Sequence, residues 1–116
     1  MEYLLAGKKY NTSITKLNLS KNKITKIPIE IQYFTNLQEL ELYENEITEI
    51  PKEIQFLTNL QILNLSINQI TKISKELKCL TNLNKLNLCG TQIVEIPKEI
   101  QFLTNLQELN CSSNKI

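Results

Sequence analysis

The stretch "EIPKEIQFLTNLQ", Glu49 to Gln61, recurs letter for letter from Glu95 to Gln107, 46 residues further on. Midway between the two copies lies a diverged relative, "KISKELKCLTNLN", Lys72 to Asn84. The period is therefore 23 residues, and it organises nearly all of the 116-residue chain. Aligned on it, apolar residues fall into columns. One is Ile14, Leu37, Leu60, Leu83 and Leu106, and the next is Leu17, Leu40, Leu63, Leu86 and Leu109. A third runs Leu19, Leu42, Leu65, Leu88 and then Cys111, where leucine is lost. Self-similarity at this period marks a stack of supersecondary units, none of which buries its own apolar face.

Each unit changes periodicity halfway. Its first half reads LxxLxLxxNxI, with leucines two apart, as a short strand presents them on one face. Because every unit repeats the same order, the strands run parallel. The second half, for example "ITEIPKEIQFLTN", spaces Ile50, Ile54 and Leu57 by four and three, which is helical. Pro51 is expected at the first helical position, where no N–H is required, and Glu53 in the first turn, where its charge suits the helix dipole. One to two turns of α or 3₁₀ helix per unit are predicted, and Ser74 replaces proline in the third.

Between strand and helix stands a polar column, Asn22, Asn45, Asn68 and Asn114, with Thr91 as the exception. A chain leaving a strand has backbone N–H and C=O groups without ladder partners. An inward carboxamide can serve several of them, in its own unit and the next. A hydroxyl serves fewer, so the segment "CGTQI" around Thr91 is expected to be a weak rung.

Five copies of LxxLxLxxNxI and four of IPxxIxxL or a close variant resemble the leucine-rich repeat family over Ile14 to Ile116. The proline-bearing 23-residue form resembles the subclass of Ras-suppressor-like proteins and their bacterial and protist relatives. The resemblance implies an α/β fold: a curved right-handed solenoid with a parallel sheet on the concave side and short α or 3₁₀ helices on the convex side. It also implies protein recognition on the concave face. The expected organisation is one domain. Residues 1–13 form a partial N-terminal cap, fitting the second half of a repeat with Leu4 matched to Ile27 and Tyr10 to Tyr33. The repeats are 14–36, 37–59, 60–82, 83–105 and an incomplete 106–116. Cysteine-rich flanks are missing at both ends, and the last strand is expected to have a bare edge at Leu106, Leu109, Cys111 and Ile116. Such an edge suits pairing with a second copy of the chain.

Composition narrows the function classes. Formal net charge is +1 and apolar content 41%, so no strong field favours nucleic acid or an acidic membrane surface. No apolar run is long enough to span a bilayer, and "MEYLLAGKKYNTS" lacks the form of a signal peptide. Every acidic residue is Glu and every basic one Lys, and His is absent. A Ser–His–Asp arrangement cannot be built, and metal sites lose common ligands. Cys79, Cys89 and Cys111 fall on the helical side, the outer strand face and the core column, so they do not converge. No enzyme activity, cofactor or metal is expected. An odd number of cysteines without framework spacing points to free thiols and an intracellular, cytoplasmic location. The sequons at Asn11, Asn18, Asn64 and Asn110 are read as accidents of recurring strand words.

Residues 23 apart lie on adjacent strands, about 4.8 Å from one another. Outward positions therefore pair Lys16 with Glu39, Lys21 with Glu44 and Lys23 with Glu46, while Lys26, Glu49, Lys72 and Glu95 alternate along an edge. These columns are read first as zippers between repeats and second as ligand sites. Ile62 and Ile67 stand where polar residues are usual. With Tyr43 and Cys89 they form an apolar patch rimmed by Glu41, Glu44 and Asn64, the candidate surface for a partner protein. On the helical side, Tyr33, Phe56 and Phe102 form a row with Cys79 between them, which either fills the core or offers a second surface. The alternative to partner binding is a structural, self-associating protein that uses this row or the last strand.

Overall fold

The computed structural model describes residues 1–115; the edge position Ile116 lies outside them. An antiparallel hairpin, β1 (Glu2–Leu5) and β2 (Lys8–Asn11), precedes five strands of three residues each. These are β3 (Lys16–Asn18), β4 (Glu39–Glu41), β5 (Ile62–Asn64), β6 (Lys85–Asn87) and β7 (Glu108–Asn110). They form one parallel sheet in sequence order, with Leu17, Leu40, Leu63, Leu86 and Leu109 in register. The short strands are extended by a continuing ladder: Leu19, Leu42, Leu65 and Leu88 each donate an N–H to the next repeat at 2.8–2.9 Å.

Four short helices lie opposite the sheet: η1 (Ile29–Tyr33), η2 (Lys52–Phe56), η3 (Lys75–Cys79) and η4 (Lys98–Phe102). All are 3₁₀, not α. Pro28, Pro51 and Pro97 are caps one position before the helix rather than its first residue, and each cap carbonyl accepts the N–H three residues on. The cap needs only an extended backbone and a carbonyl. Proline supplies both, since its φ is already fixed and its missing N–H is not called upon. Ser74 adopts the same geometry, φ −71° and ψ 148°, without a side-chain capping bond. Its hydroxyl is buried without a hydrogen-bond partner.

The core is the space between sheet and helices. Leu40, Leu63, Leu65, Ile54, Leu57 and Leu77 are among the side chains with no exposed surface, each contributing roughly 1.5–3 kcal/mol by burial. The hairpin departs from the half-repeat expected of residues 1–13. Ala6 and Gly7 both take positive φ, 51° and 82°, as a two-residue hairpin turn requires. Strand alternation then turns Tyr3 and Leu5 inward and leaves Leu4 61% exposed, although the repeat alignment matched it with buried Ile27. Tyr3 stacks on Tyr33 with ring centroids 4.9 Å apart.

The asparagine column links repeats in the direction opposite to the one expected. From Asn45 onward, each carboxamide serves its own repeat and the preceding one. Asn45 Nδ2 donates to the carbonyls of Leu42 and Leu19, and its Oδ1 accepts from the N–H groups of Asn22 and Ile24, all at 3.0 Å. Asn68 does the same for Leu65, Leu42 and Ile47. Asn22 reaches only Leu19 in its own repeat. Asn114 serves Cys111, Leu88 and Ile93. Thr91 is buried, and its hydroxyl lies 3.0 Å from the Leu88 carbonyl and 2.6 Å from Asn114 Oδ1. Among the described residues it makes no bond back to Leu65 or Ile70, so the third and fourth repeats lack this link.

Three substitutions test these contacts. Asn68→Ala strands buried backbone groups and should destabilise by about 1–3 kcal/mol, whereas Thr91→Asn restores the missing rung and should raise the thermal midpoint. Equal midpoints for wild type and Asn68→Ala in a melting experiment would refute the ladder. Ser74→Pro removes an unpartnered hydroxyl at a compatible φ and should stabilise by about 0.4–1 kcal/mol, read as a shift in denaturant midpoint at unchanged slope.

Candidate functional site: the outer face of the sheet

Three rows of outward side chains cross the sheet. The first is Lys16, Glu39, Ile62, Lys85 and Glu108, aligned by strand register. Lys16 and Glu39 form an ion pair of 3.1 Å, and Lys85 and Glu108 a weaker one of 3.9 Å. Ile62, half-buried, occupies the gap between the two pairs. The second row is Asn18, Glu41, Asn64, Asn87 and Asn110. Its asparagines bend back to accept the N–H two residues on, at Ser20, Ser66, Cys89 and Ser112. The recurring words "NLS" and "NCS" are thereby explained as local turns. A depression of about 480 Å³ over β5–β7 is lined by Ile62, Asn64, Asn87 and Asn110, with Glu41 at one side and Lys85 and Glu108 at the other.

The third group lies where the chain turns out of the strands. The residues following Ser20, Tyr43, Ser66, Cys89 and Ser112 all take positive φ: Lys21 60°, Glu44 54°, Ile67 55°, Gly90 67° and Ser113 57°. Glycine suits this region, and a β-branched side chain fits it worst. Ile67 carries a strain of roughly 1 kcal/mol or more and is 55% exposed, so burial does not offset it. A Cβ placed on Gly90 would lie 3.4 Å from Ile67 Cγ1. The isoleucine thus lies against the one residue in this column that has no side chain. The candidate patch is therefore two neighbouring features: Ile62 with Asn64 and Glu41 in the depression, and Tyr43, Glu44, Ile67 and Cys89 along the turns.

The charge columns pair less than their spacing suggested. Among the described residues, Lys21–Glu44, Lys23–Glu46 and the edge series from Lys26 to Glu95 form no ion pair. The backbone at Lys21, Lys23 and Glu44 has left the flat ladder for positive φ, so strand spacing no longer sets side-chain spacing. Lys21 Nζ lies instead 6.0 Å from the Tyr43 ring centroid.

On the helical side Tyr33, Phe56 and Phe102 are each about half exposed, 49%, 48% and 51%, so the row neither fills the core nor stands fully in solvent. Cys79 between them is half-buried. At the last strand Leu106 and Cys111 are half-buried and Leu109 is 36% exposed, and burial pushes the Cys111 thiol above its usual pKa. Among the described residues no cluster of metal-binding side chains occurs and no helix is long and apolar enough to cross a membrane. A second ladder escaped the sequence reading: Asn59, Asn82 and Asn105 donate to the carbonyls of Thr35, Thr58 and Thr81 at 2.8–2.9 Å. The recurring "TNL" word was its signal.

A double-mutant cycle distinguishes paired from merely adjacent charges. Lys16–Glu39 should show a coupling of about 0.2–1 kcal/mol, while Lys23–Glu46 should be additive. Equal coupling in both cycles, measured by denaturant unfolding, would contradict the geometry.

The sequence matches the model of the leucine-rich repeat region over residues 14–116. Comparison with curated proteins finds no match. Among solved structures, a leucine-rich repeat protein of Leptospira interrogans is 44% identical with a TM-score of 0.85, over 88% of this chain and 26% of that one. An internalin of Listeria monocytogenes is 35% identical with a TM-score of 0.80, over 89% of this chain and 30% of that one. A plant peptide hormone receptor, RGFR1, solved in complex with RGF2, is 39% identical with a TM-score of 0.79, over 87% and 17%. The chain therefore spans less than a third of the length of each of these structures. With its repeats, its parallel sheet and its 3₁₀ helices in register, the chain belongs to the leucine-rich repeat family.

Proposed function

We propose that the chain is a non-catalytic protein-recognition module that receives its partner on the concave face of the sheet. The observation that carries this reading is Ile62. It interrupts a row of ion pairs at the centre of the sheet and opens into the depression over β5–β7. A charge row whose only task was to zip repeats together would continue through this position. An apolar group flanked by charge and amides instead suits a contact that excludes water at its centre and is polar at its rim. The family is generally a non-enzymatic interaction scaffold, and the receptor RGFR1 was solved with RGF2 bound. Three free cysteines among the described residues accord with a reducing, cytoplasmic location as part of the same proposal.

The test is affinity capture from the native cell on immobilised wild type, Ile62→Glu and Thr58→Glu, the last an exposed control off the sheet. A protein retained by wild type and the control, and lost at least tenfold with Ile62→Glu, is the expected result. Equal recovery on all three surfaces would remove the concave face from consideration.

A second reading has one observation in its favour. The half-exposed row of Tyr33, Phe56 and Phe102 is a surface on which copies of the chain could associate. Sedimentation of wild type against Phe56→Lys separates the readings: a concentration-dependent dimer lost in the variant supports self-association, and a monomer at high concentration rejects it.

A further inference from the structure

We propose that Ile67 is a strained anchor for a basic, aliphatic-bearing peptide segment, docked across the turns beside the sheet between Tyr43 and Gly90. The proposal deepens the concave-face reading and rests on it.

Two independent observations support the site. The first is conformational. Position 67 belongs to a column of left-handed residues, and its other members are residues without β-branching: Lys21, Glu44, Gly90 and Ser113. Ile67 is strained there, yet it is 55% exposed, so the strain is not the consequence of filling a core. Its backbone is held in place by an N–H bond of 2.8 Å to the Cys89 carbonyl, and its side chain lies over Gly90, where a Cβ would come into contact with it at 3.4 Å. Strain kept at an exposed apolar residue packed on a glycine neighbour is the pattern of a contact residue.

The second observation is electrostatic, and it selects the occupant. Glu39 is already neutralised by Lys16. Glu41, Glu44 and Glu46, on the repeat that also carries Tyr43, form no ion pair among the described residues. Glu44 and Glu46 are exposed and Glu41 half-exposed. Lys21, from this chain, lies above the Tyr43 ring, which shows that the ring face accepts an ammonium group. The complementary ligand carries an aliphatic side chain for Ile67 and Gly90, flanked by lysine or arginine for the free glutamates. An acidic peptide would meet three carboxylates against only Lys21 and Lys23 of the preceding repeat.

The probes are three amidated five-residue peptides: alternating lysine and leucine, alternating glutamate and leucine, and alternating lysine and serine. Each is titrated into the isotope-labelled chain and followed by backbone amide shifts. The lysine–leucine peptide is expected to move the amides of Tyr43, Ile67 and Gly90, with affinity falling as salt rises. The other two should bind at least tenfold more weakly. Ile67→Gly is expected to raise the thermal midpoint by relieving the strain and to weaken the lysine–leucine peptide at least fivefold. A variant that gains stability and keeps its affinity overturns the proposal, because Ile67 would then be strained to no purpose. So do equal binding of the acidic peptide, an effect seen only as self-association, or no shift with any peptide. Shifts confined to Ile62, Asn87 and Asn110 also overturn it while leaving the concave-face function standing, which the capture experiment decides on its own.

Discussion

The buried carboxamide of the asparagine column is the interaction on which the rest of the molecule depends. A strand of three residues that must turn sharply leaves backbone groups facing inward with no ladder partner. Asn45 and Asn68 satisfy their own repeat's carbonyl and those of the preceding repeat with one side chain. That bond fixes where each strand ends and also how far the next repeat is translated. Parallel register, buried leucine columns and the shape of the outer face all follow from that translation. Leucine burial supplies most of the favourable free energy but is non-directional; where Thr91 interrupts the column, the sheet's backbone bonds and the Asn105–Thr81 bond keep the third and fourth repeats in step.

The carboxamide also bears on the turn beside it. Asn68 reaches the carbonyls of Leu65 and Ser66, the two residues just before the step into positive φ at Ile67. Where Thr91 stands instead, its hydroxyl reaches only the Leu88 carbonyl of that pair, and the adjoining residue is Gly90. The weaker pin coincides with the residue that needs least holding in a left-handed conformation. Glycine thus stands where the rung is weakest, and the strained isoleucine where the carboxamide grips both carbonyls.

Periodicity made the solenoid legible because a 23-residue repeat in five copies constrains strand order, direction and register together. The inner columns were readable for the same reason: Leu40, Leu63 and Leu86 cannot change face without every repeat shifting. Features set by local backbone geometry were less legible. Proline at 28, 51 and 97 announces a helix start, but its spacing alone does not separate cap from first residue or 3₁₀ from α. The hairpin of residues 2–11 was hidden because it occurs once, and an alignment to the repeat overrode the alternation of Tyr3 and Leu5 and the Ala6–Gly7 turn. On the outer face, Ile62 and Ile67 were visible as apolar departures from their columns. Their separation into a depression and a turn was not visible, because positive φ at Lys21, Glu44 and Ile67 leaves no clear mark in residue type.

The fold also explains why the outer face can carry information about a partner. Inward positions are fixed by packing, and the asparagine column by hydrogen bonding. The outward rows contribute at most a weak ion pair per repeat. Lys16, Glu39, Ile62, Lys85 and Glu108 can therefore differ from one another without cost to the solenoid, even though they occupy equivalent positions. Ile67 is the extreme among outward residues, since β-branching makes its left-handed conformation costlier than that of Lys21, Lys23, Glu44 or Ser113. A neutral surface position drifts among residues that are equally tolerated. A residue that is worse than its alternatives for the fold needs something outside the fold to keep it. That asymmetry sets the turn between Tyr43 and Gly90 apart from the strand rows, where extended backbone places no such penalty on residue choice.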